Sequence, residues 1–349
     1  MTTKNIIVLG AAAAVCCTLA YVTSSGSKVK SPSLTGKRIV KDFALADVAR
    51  IEIGGAGKLT LAAGEKGWSV ESLYGYPADV TKIRENILKL QELKVGQVAR
   101  GKKLAEPKTV ELKDSAGKPL ASVTLGQTHM SKPRGQAAQF GGGGYPDGRY
   151  VKFGDETVLV KDALEAFDGD VKKWVETRIA SVPASEVTTV TFAKGKEKVV
   201  LSRKDSKWEL AGLGDKEELD SSKTYSLDSA LSYLDFASVA DPKLTDAELG
   251  FATGSTYTVT LKDGKTYTAN VGASSGSDRY FKVSAAFSPV GTNATVNAAC
   301  EKAVKEFNER TAKWVYTISS YSAESMAKER KDLVKAKEKP AAETKKDQK

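Results

Sequence analysis

Leu61–Trp68 reads LAAGEKGW and Leu201–Trp208 reads LSRKDSKW. Each is a short strand, a polar turn and a second strand entered through a tryptophan, and the two lie 140 residues apart. The remaining tryptophans of the chain, Trp174 and Trp314, are separated by the same 140. Other patterns repeat near that offset. Leu90, Leu93, Val95 and Val98 align with Leu231, Leu234, Phe236 and Val239, and Leu164 and Phe167 align with Val304 and Phe307. Thr109–Asp114 (TVELKD) is answered by Thr258–Asp263 (TVTLKD), and Arg149–Phe153 (RYVKF) by Arg279–Val283 (RYFKV). A repeat this long implies two domains, because solenoid units run about 20–50 residues.

Each copy reads as the same series of elements. Strands over Val48–Ile53 and Val187–Phe192 open them, and Lys58–Ala62 and Lys198–Ser202 follow. Turns at Lys66-Gly67 and Ser206-Lys207 then lead into the tryptophan strands. Val80, Ile83, Ile87 and Leu90 keep helical spacing after Asp79, a residue suited to cap a helix N-terminus. Leu227, Ala230, Leu231 and Leu234 keep the same spacing in the second copy. Hairpins are expected around Ala116-Gly117 and Asp263-Gly264. A strand and an amphipathic helix ending near Trp174 or Trp314 close each copy, with Leu164, Phe167, Val171 and Trp174 on one face. The fold class expected is α+β: two tandem modules of antiparallel sheet and two helices, spanning 45–180 and 184–320, after an N-terminal transmembrane or signal helix. Both tryptophan pairs are expected to pack in the cores.

The ends of the chain differ from this body. Met1–Asn5 carries Lys4, Ile6–Val22 is free of charge, and Thr23–Ser27 is small and polar. This pattern fits a signal peptide or a single-pass anchor within 1–27, with 28–44 as a linker. An uncleaved anchor is favoured, because Thr18-Leu19-Ala20 is a mediocre cleavage site and Val15 before Cys16 does not suit a lipoprotein. Lysines and arginines between 28 and 41 argue for a cytoplasmic body, whereas the export-like shape of 1–27 argues for an extracytoplasmic, periplasmic one. The second reading is adopted. Residues 323–349 mix nine basic with six acidic side chains and read as a solvated, lysine-rich tail, with contact to anionic lipid or envelope polymer as its functional reading.

The charge distribution narrows the function. The chain carries a net +10, of which +6 lies in residues 1–41 and +3 in 323–349, leaving about +1 on the body. A nucleic-acid-binding domain carries its excess on the folded surface, so no nucleic-acid partner is expected. Cys300 is the only cysteine of the body, which excludes a disulfide framework there.

The layout resembles the domain-of-unknown-function family 4340. The residues that carry the resemblance are Val48–Ile53, Leu59–Trp68, Pro77-Ala78-Asp79, Leu104–Pro107 before TVELKD, Leu125-Gly126 and Arg149-Tyr150-Val151. The second copy keeps Trp208, Leu249-Gly250, TVTLKDGK and Arg279-Tyr280, but lacks the Pro-Ala-Asp triplet. The resemblance implies a bacterial, membrane-anchored, extracytoplasmic protein. Some relatives are similar to auxiliary proteins of ABC transport systems. It implies no catalytic residues.

Reactive groups are sparse. His129 is the only histidine and lacks a second His or Cys to share a metal or serve a nucleophile, so it reads as a loop residue. No Gly-x-Ser-x-Gly elbow occurs. Gln136–Gly148 (QAAQFGGGGYPDG) is the most unusual segment, and its glycine run lacks the Lys-Ser/Thr of a phosphate loop. It reads as a flexible hairpin insertion or as a partner-contact loop comprising Phe140, Gly141, Gly142, Gly143, Gly144 and Tyr145, with Phe140 and Tyr145 as anchors. The expected function is therefore a non-enzymatic, membrane-anchored extracytoplasmic binding or scaffolding protein auxiliary to an ABC-type transporter. It would be held by residues 6–22 and use neither cofactor nor metal. An envelope hydrolase using a carboxylate pair and a small-ligand-binding module are the alternatives.

Overall fold

The computed structural model describes residues 33–54, 58–132 and 144–337. Residues 6–22, the expected anchor, lie outside them. No helix of the described residues is long and apolar enough to cross a membrane. The chain divides into two compact units, the described residues of Met1–Gly57 with Arg84–Asp168, and those of Lys58–Ile83 with Gly169–Lys349. Both are built mainly from antiparallel sheet.

In the first unit, strand Arg50–Ile53 pairs with Lys108–Lys113, which pairs with Pro119–Met130. The series continues through Pro146–Phe153, Glu156–Val160 and Gln97–Val98. Alternate residues point inward, as the period of two requires, so Ile51, Ile53, Val110, Leu112, Val151 and Val158 are buried. The expected linker is ordered here from residue 33. The N–H of Gly36 donates to Val95 O at 2.7 Å, that of Ile39 donates to Leu93 O at 2.9 Å, and Val40 is buried.

In the second unit, Leu59–Gly64, Gly67–Val70 and Tyr76–Pro77 pair in order. Eight strands form a separate sheet, ordered Lys207–Leu210, Glu197–Lys204, Val187–Lys194, Ser255–Leu261, Lys265–Ser275, Asp278–Phe287, Tyr316–Ser319 and Ser238–Val239. Burial in Ser255–Leu261 alternates without a break. Residues 58–83 belong to this unit because Tyr76 packs there, its ring 5.1 Å from Phe236 and 5.0 Å from Trp314.

Two of the expected helices are found. Asp79 caps helix Val80–Glu92 by accepting from the N–H groups of Thr81 and Lys82 at 2.8 and 3.2 Å. Ile83, Ile87 and Leu90 are its buried stripe. Helix Ala294–Thr311 closes the second copy, capped by Asn293, with Cys300 and Val304 buried. Two others are corrected. Residues 224–233 form turns and a bridge to strand Leu234–Asp235, although Leu227, Leu231 and Leu234 are buried as the spacing requires. The Tyr257 hydroxyl donates to Leu227 O at 2.6 Å, taking the carbonyl a helix would give to residue 231. Thr224 and Ser229 hydroxyls also bond carbonyls three residues back. Around Trp174 the expected helix is two 3-10 turns, Glu165–Asp168 and Val171–Lys173. Gly169 between them sits at φ 93°, a conformation that ends a right-handed helix.

The described part of the expected tail, residues 323–337, is folded. Helix Ser320–Ser325 leads to Met326 and Leu333, both fully buried, and strand Val334–Ala336 pairs with Glu217–Leu219. Arg330 bonds Glu217, and Lys194 pairs with Glu329 at 3.0 Å. The Gly214 N–H and then Arg330 hold the Glu217 carboxyl below its ordinary value of 4.5. Lys331 and Lys194 do the same for Glu329. Depressed carboxylates stabilise the fold above their unfolded pKa, and that stability is lost as pH falls through the folded one. Acidification from about pH 6 to about pH 3 is therefore expected to loosen residues 326–337 first, seen as loss of amide-exchange protection in that peptide. Unchanged protection there would contradict the assignment.

Candidate functional site

A groove lies wholly within the second unit. It encloses about 680 Å³ and is lined by Trp68, Tyr76, Pro77 and Trp314, with Lys66 and Lys313 at its rim. Volumes of about 300–1,000 Å³ are usual for ligand sites.

Two hairpins of equal register place different neighbours beside two half-buried tryptophans, Trp68 and Trp208. In hairpin 59–70, Ala63 stands opposite Trp68 and Gly64 opposite Gly67. In hairpin 197–210, Arg203 stands opposite Trp208 and Lys204 opposite Lys207. The Arg203 guanidinium lies 4.5 Å from the centre of the Trp208 ring and is anchored by Asp228 and Ala184 O. Trp208 is thus covered by its cross-strand neighbour. Trp68 has a methyl group in that place, with Gly67 before it and Gly64 opposite Gly67. Gly67 has φ 101°, which favours glycine and keeps that wall free of side chains.

The other tryptophan pair diverges in the same manner. Trp174 is fully buried, whereas Trp314 is partly exposed. Trp314 follows helix Ala294–Thr311, where its N–H donates to Thr311 O at 3.1 Å, and Lys313 Nζ lies 5.0 Å from its ring centre. Tyr76 forms the floor, in contact with Phe236, Trp314 and Tyr316. Burial raises the phenol pKa of Tyr76 and of Tyr316, so both stay neutral. The expectation that all four tryptophans are core residues therefore holds for Trp174 alone; Trp68 and Trp314 face the groove. The signal was present in the sequence, as Ala63 and Gly64 in place of Arg203 and Lys204.

The rim is mixed in charge. Asp79 is occupied by its cap, and Glu176 accepts from Arg178 N–H at 2.9 Å. Arg310 donates to the carbonyls of Arg178 and Ile179, each at 2.8 Å. Glu65, Lys66 and Lys313 form no ion pair among the described residues, and Glu309 has only a loose one to Lys305 at 3.9 Å.

The sequence-predicted loop is only partly placed. Phe140, Gly141, Gly142 and Gly143 lie outside the described residues. Gly144 and Tyr145 precede strand Pro146–Phe153, and Tyr145 is 70% exposed. Its N–H donates to Ser131 Oγ at 3.1 Å. His129 is a strand residue rather than a loop residue, opposite Gly148 in the sheet. Its Nδ1 lies 2.6 Å from Asp147 Oδ1, and its ring is edge-on to Tyr150. The shallow cleft around it is lined by Gln97, Asp147 and Lys161, with no serine, threonine or cysteine in its lining. No group of three metal-ligating side chains occurs among the described residues.

No curated protein matches the chain. No solved structure matches it either. A family model, the domain of unknown function DUF4340, matches a single span, residues 68–253. That span opens on Trp68 and takes in Trp174 and Trp208. It covers more than half of the chain, and the chain belongs to the DUF4340 family.

Proposed function

We propose that this is a non-enzymatic binding protein whose contact site is the tryptophan groove of the second unit. The observation that carries the reading is the pairing of Ala63 with Trp68 where the sister hairpin pairs Arg203 with Trp208. A half-buried indole forgoes part of the stabilisation of burial, so a tryptophan with small neighbours at a groove favours use in contact. The equal registers of hairpins 59–70 and 197–210 support the view that the chain arose as two tandem copies of one module. One copy carries Ala63 where the other carries Arg203 over its tryptophan.

The setting proposed is the cell envelope, with residues 6–22 as an uncleaved anchor and the body extracytoplasmic, serving beside an ABC-type transport system. The charge-free run Ile6–Val22 and the near-neutral body support it. Protease protection of the full-length protein tests this setting. The body is expected to resist protease in intact cells and to be digested in spheroplasts. Survival in spheroplasts with cleavage only after lysis would overturn the setting.

A further inference from the structure

We infer that the groove accepts a neutral glycan chain, an inference that rests on reading the groove as a ligand site and adds the ligand's chemical class. A pyranose ring offers a flat face of C–H groups and an edge of hydroxyls. The half-buried indoles of Trp68 and Trp314, the latter with Lys313 over one face, line the groove with flat, electron-rich rings that such C–H groups contact well. The rim supplies what the hydroxyls need. A hydroxyl both donates and accepts, and the groove presents ammonium donors at Lys66 and Lys313 beside carboxylate acceptors at Glu65 and Glu309.

The same rim excludes other classes. The lining carries Lys66, Arg310 and Lys313 against Glu65, Asp79, Glu176 and Glu309, close to neutral overall. A polyanion would face unpaired carboxylates and a polycation unpaired ammonium groups. A peptide added as a further strand would need a free edge. Here Tyr76–Pro77 is the terminal strand, and Pro77 has no N–H to continue the ladder. A buried apolar side chain would desolvate the rim charges without bonding them.

Titration of the detergent-purified full-length chain with chitotetraose, cellotetraose and maltotetraose, read by tryptophan fluorescence and calorimetry, tests the inference. At least one is expected to saturate with a dissociation constant of about 1 mM or tighter. Trp68→Ala and Trp314→Ala should each weaken it about tenfold or more, and Trp208→Ala should change it less than about twofold. Ala63→Arg, which supplies the cover that Arg203 gives Trp208, should abolish binding while leaving the thermal midpoint unchanged. No saturable change with any of the three sugars, or binding that survives the double Trp68→Ala/Trp314→Ala variant, would overturn the glycan assignment. A proline-rich decapeptide is titrated in parallel. Its binding, lost with the same double variant and without any sugar binding, would overturn the glycan class and leave the groove as a ligand site.

Discussion

Replacing Arg149 with Met lowers the unfolding free energy by about 3–5 kcal/mol, read from urea titration. Arg149 lies in strand Pro146–Phe153 with its side chain 4% exposed. Its Nε donates to Gly126 O at 2.9 Å, and Nη1 donates to the carbonyls of Ala163 and Leu164, each at 3.2 Å. Nη2 bonds the Asp168 carboxylate. Leu164 is held at φ 51°, a left-handed conformation that a branched residue adopts only under constraint. Methionine fills similar space, so little of the loss comes from a cavity. The loss comes from the Gly126 and Ala163 carbonyls, which lose the guanidinium, and from the weakened hold on Leu164 O and Asp168, which keep the Phe167 N–H at 3.0 Å and Lys108 at 3.5 Å. Arg149→Lys should recover part of it, since one ammonium cannot serve all four acceptors in the fixed geometry of the guanidinium. A loss below about 1 kcal/mol for the Met variant would show that these carbonyls find water or other donors.

The second large effect separates two tryptophans that the sequence presents as equivalents. Trp174→Ala is expected to cost about 3–5 kcal/mol, because the ring is fully buried. The Asp79 N–H donates to its backbone carbonyl at 2.8 Å, and that bond survives the substitution. The loss is therefore one of packing. Trp314→Ala is expected to cost about 1 kcal/mol, in keeping with partial exposure. Parallel thermal and urea unfolding of the two variants makes the comparison. Equal losses would mean that Trp314 is a core residue and that the groove is a by-product of packing.

Much of the fold was legible in the sequence where local chemistry decides it. The strands, the turns and the Asp79 cap follow from alternation, glycine placement and capping. The misread segments share a cause. At 224–233 and 165–174, apolar residues keep helical spacing and are buried, yet the chain does not close into a helix. Tyr257 takes the Leu227 carbonyl, and Arg149 takes those of Ala163 and Leu164. Donors arriving from elements distant in sequence leave no trace in local periodicity. The C-terminal segment was read as solvated because its lysines and glutamates outnumber its apolar residues, but Met326 and Leu333 suffice to seat it. The groove was hidden for a different reason. A tryptophan at a repeated position suggests a core, and only its cross-strand partner, Ala63 or Arg203, tells whether the ring is covered.

The most direct test of the binding site is photocrosslinking in living cells, with a photoreactive residue at Glu65 on the groove rim and, as a control, at Asp205 in the equivalent place of the other hairpin. A discrete adduct from position 65, absent from position 205 and lost with Trp68→Ala/Trp314→Ala, is the result the account predicts. No adduct at position 65, or one that the double variant leaves unchanged, would contradict it.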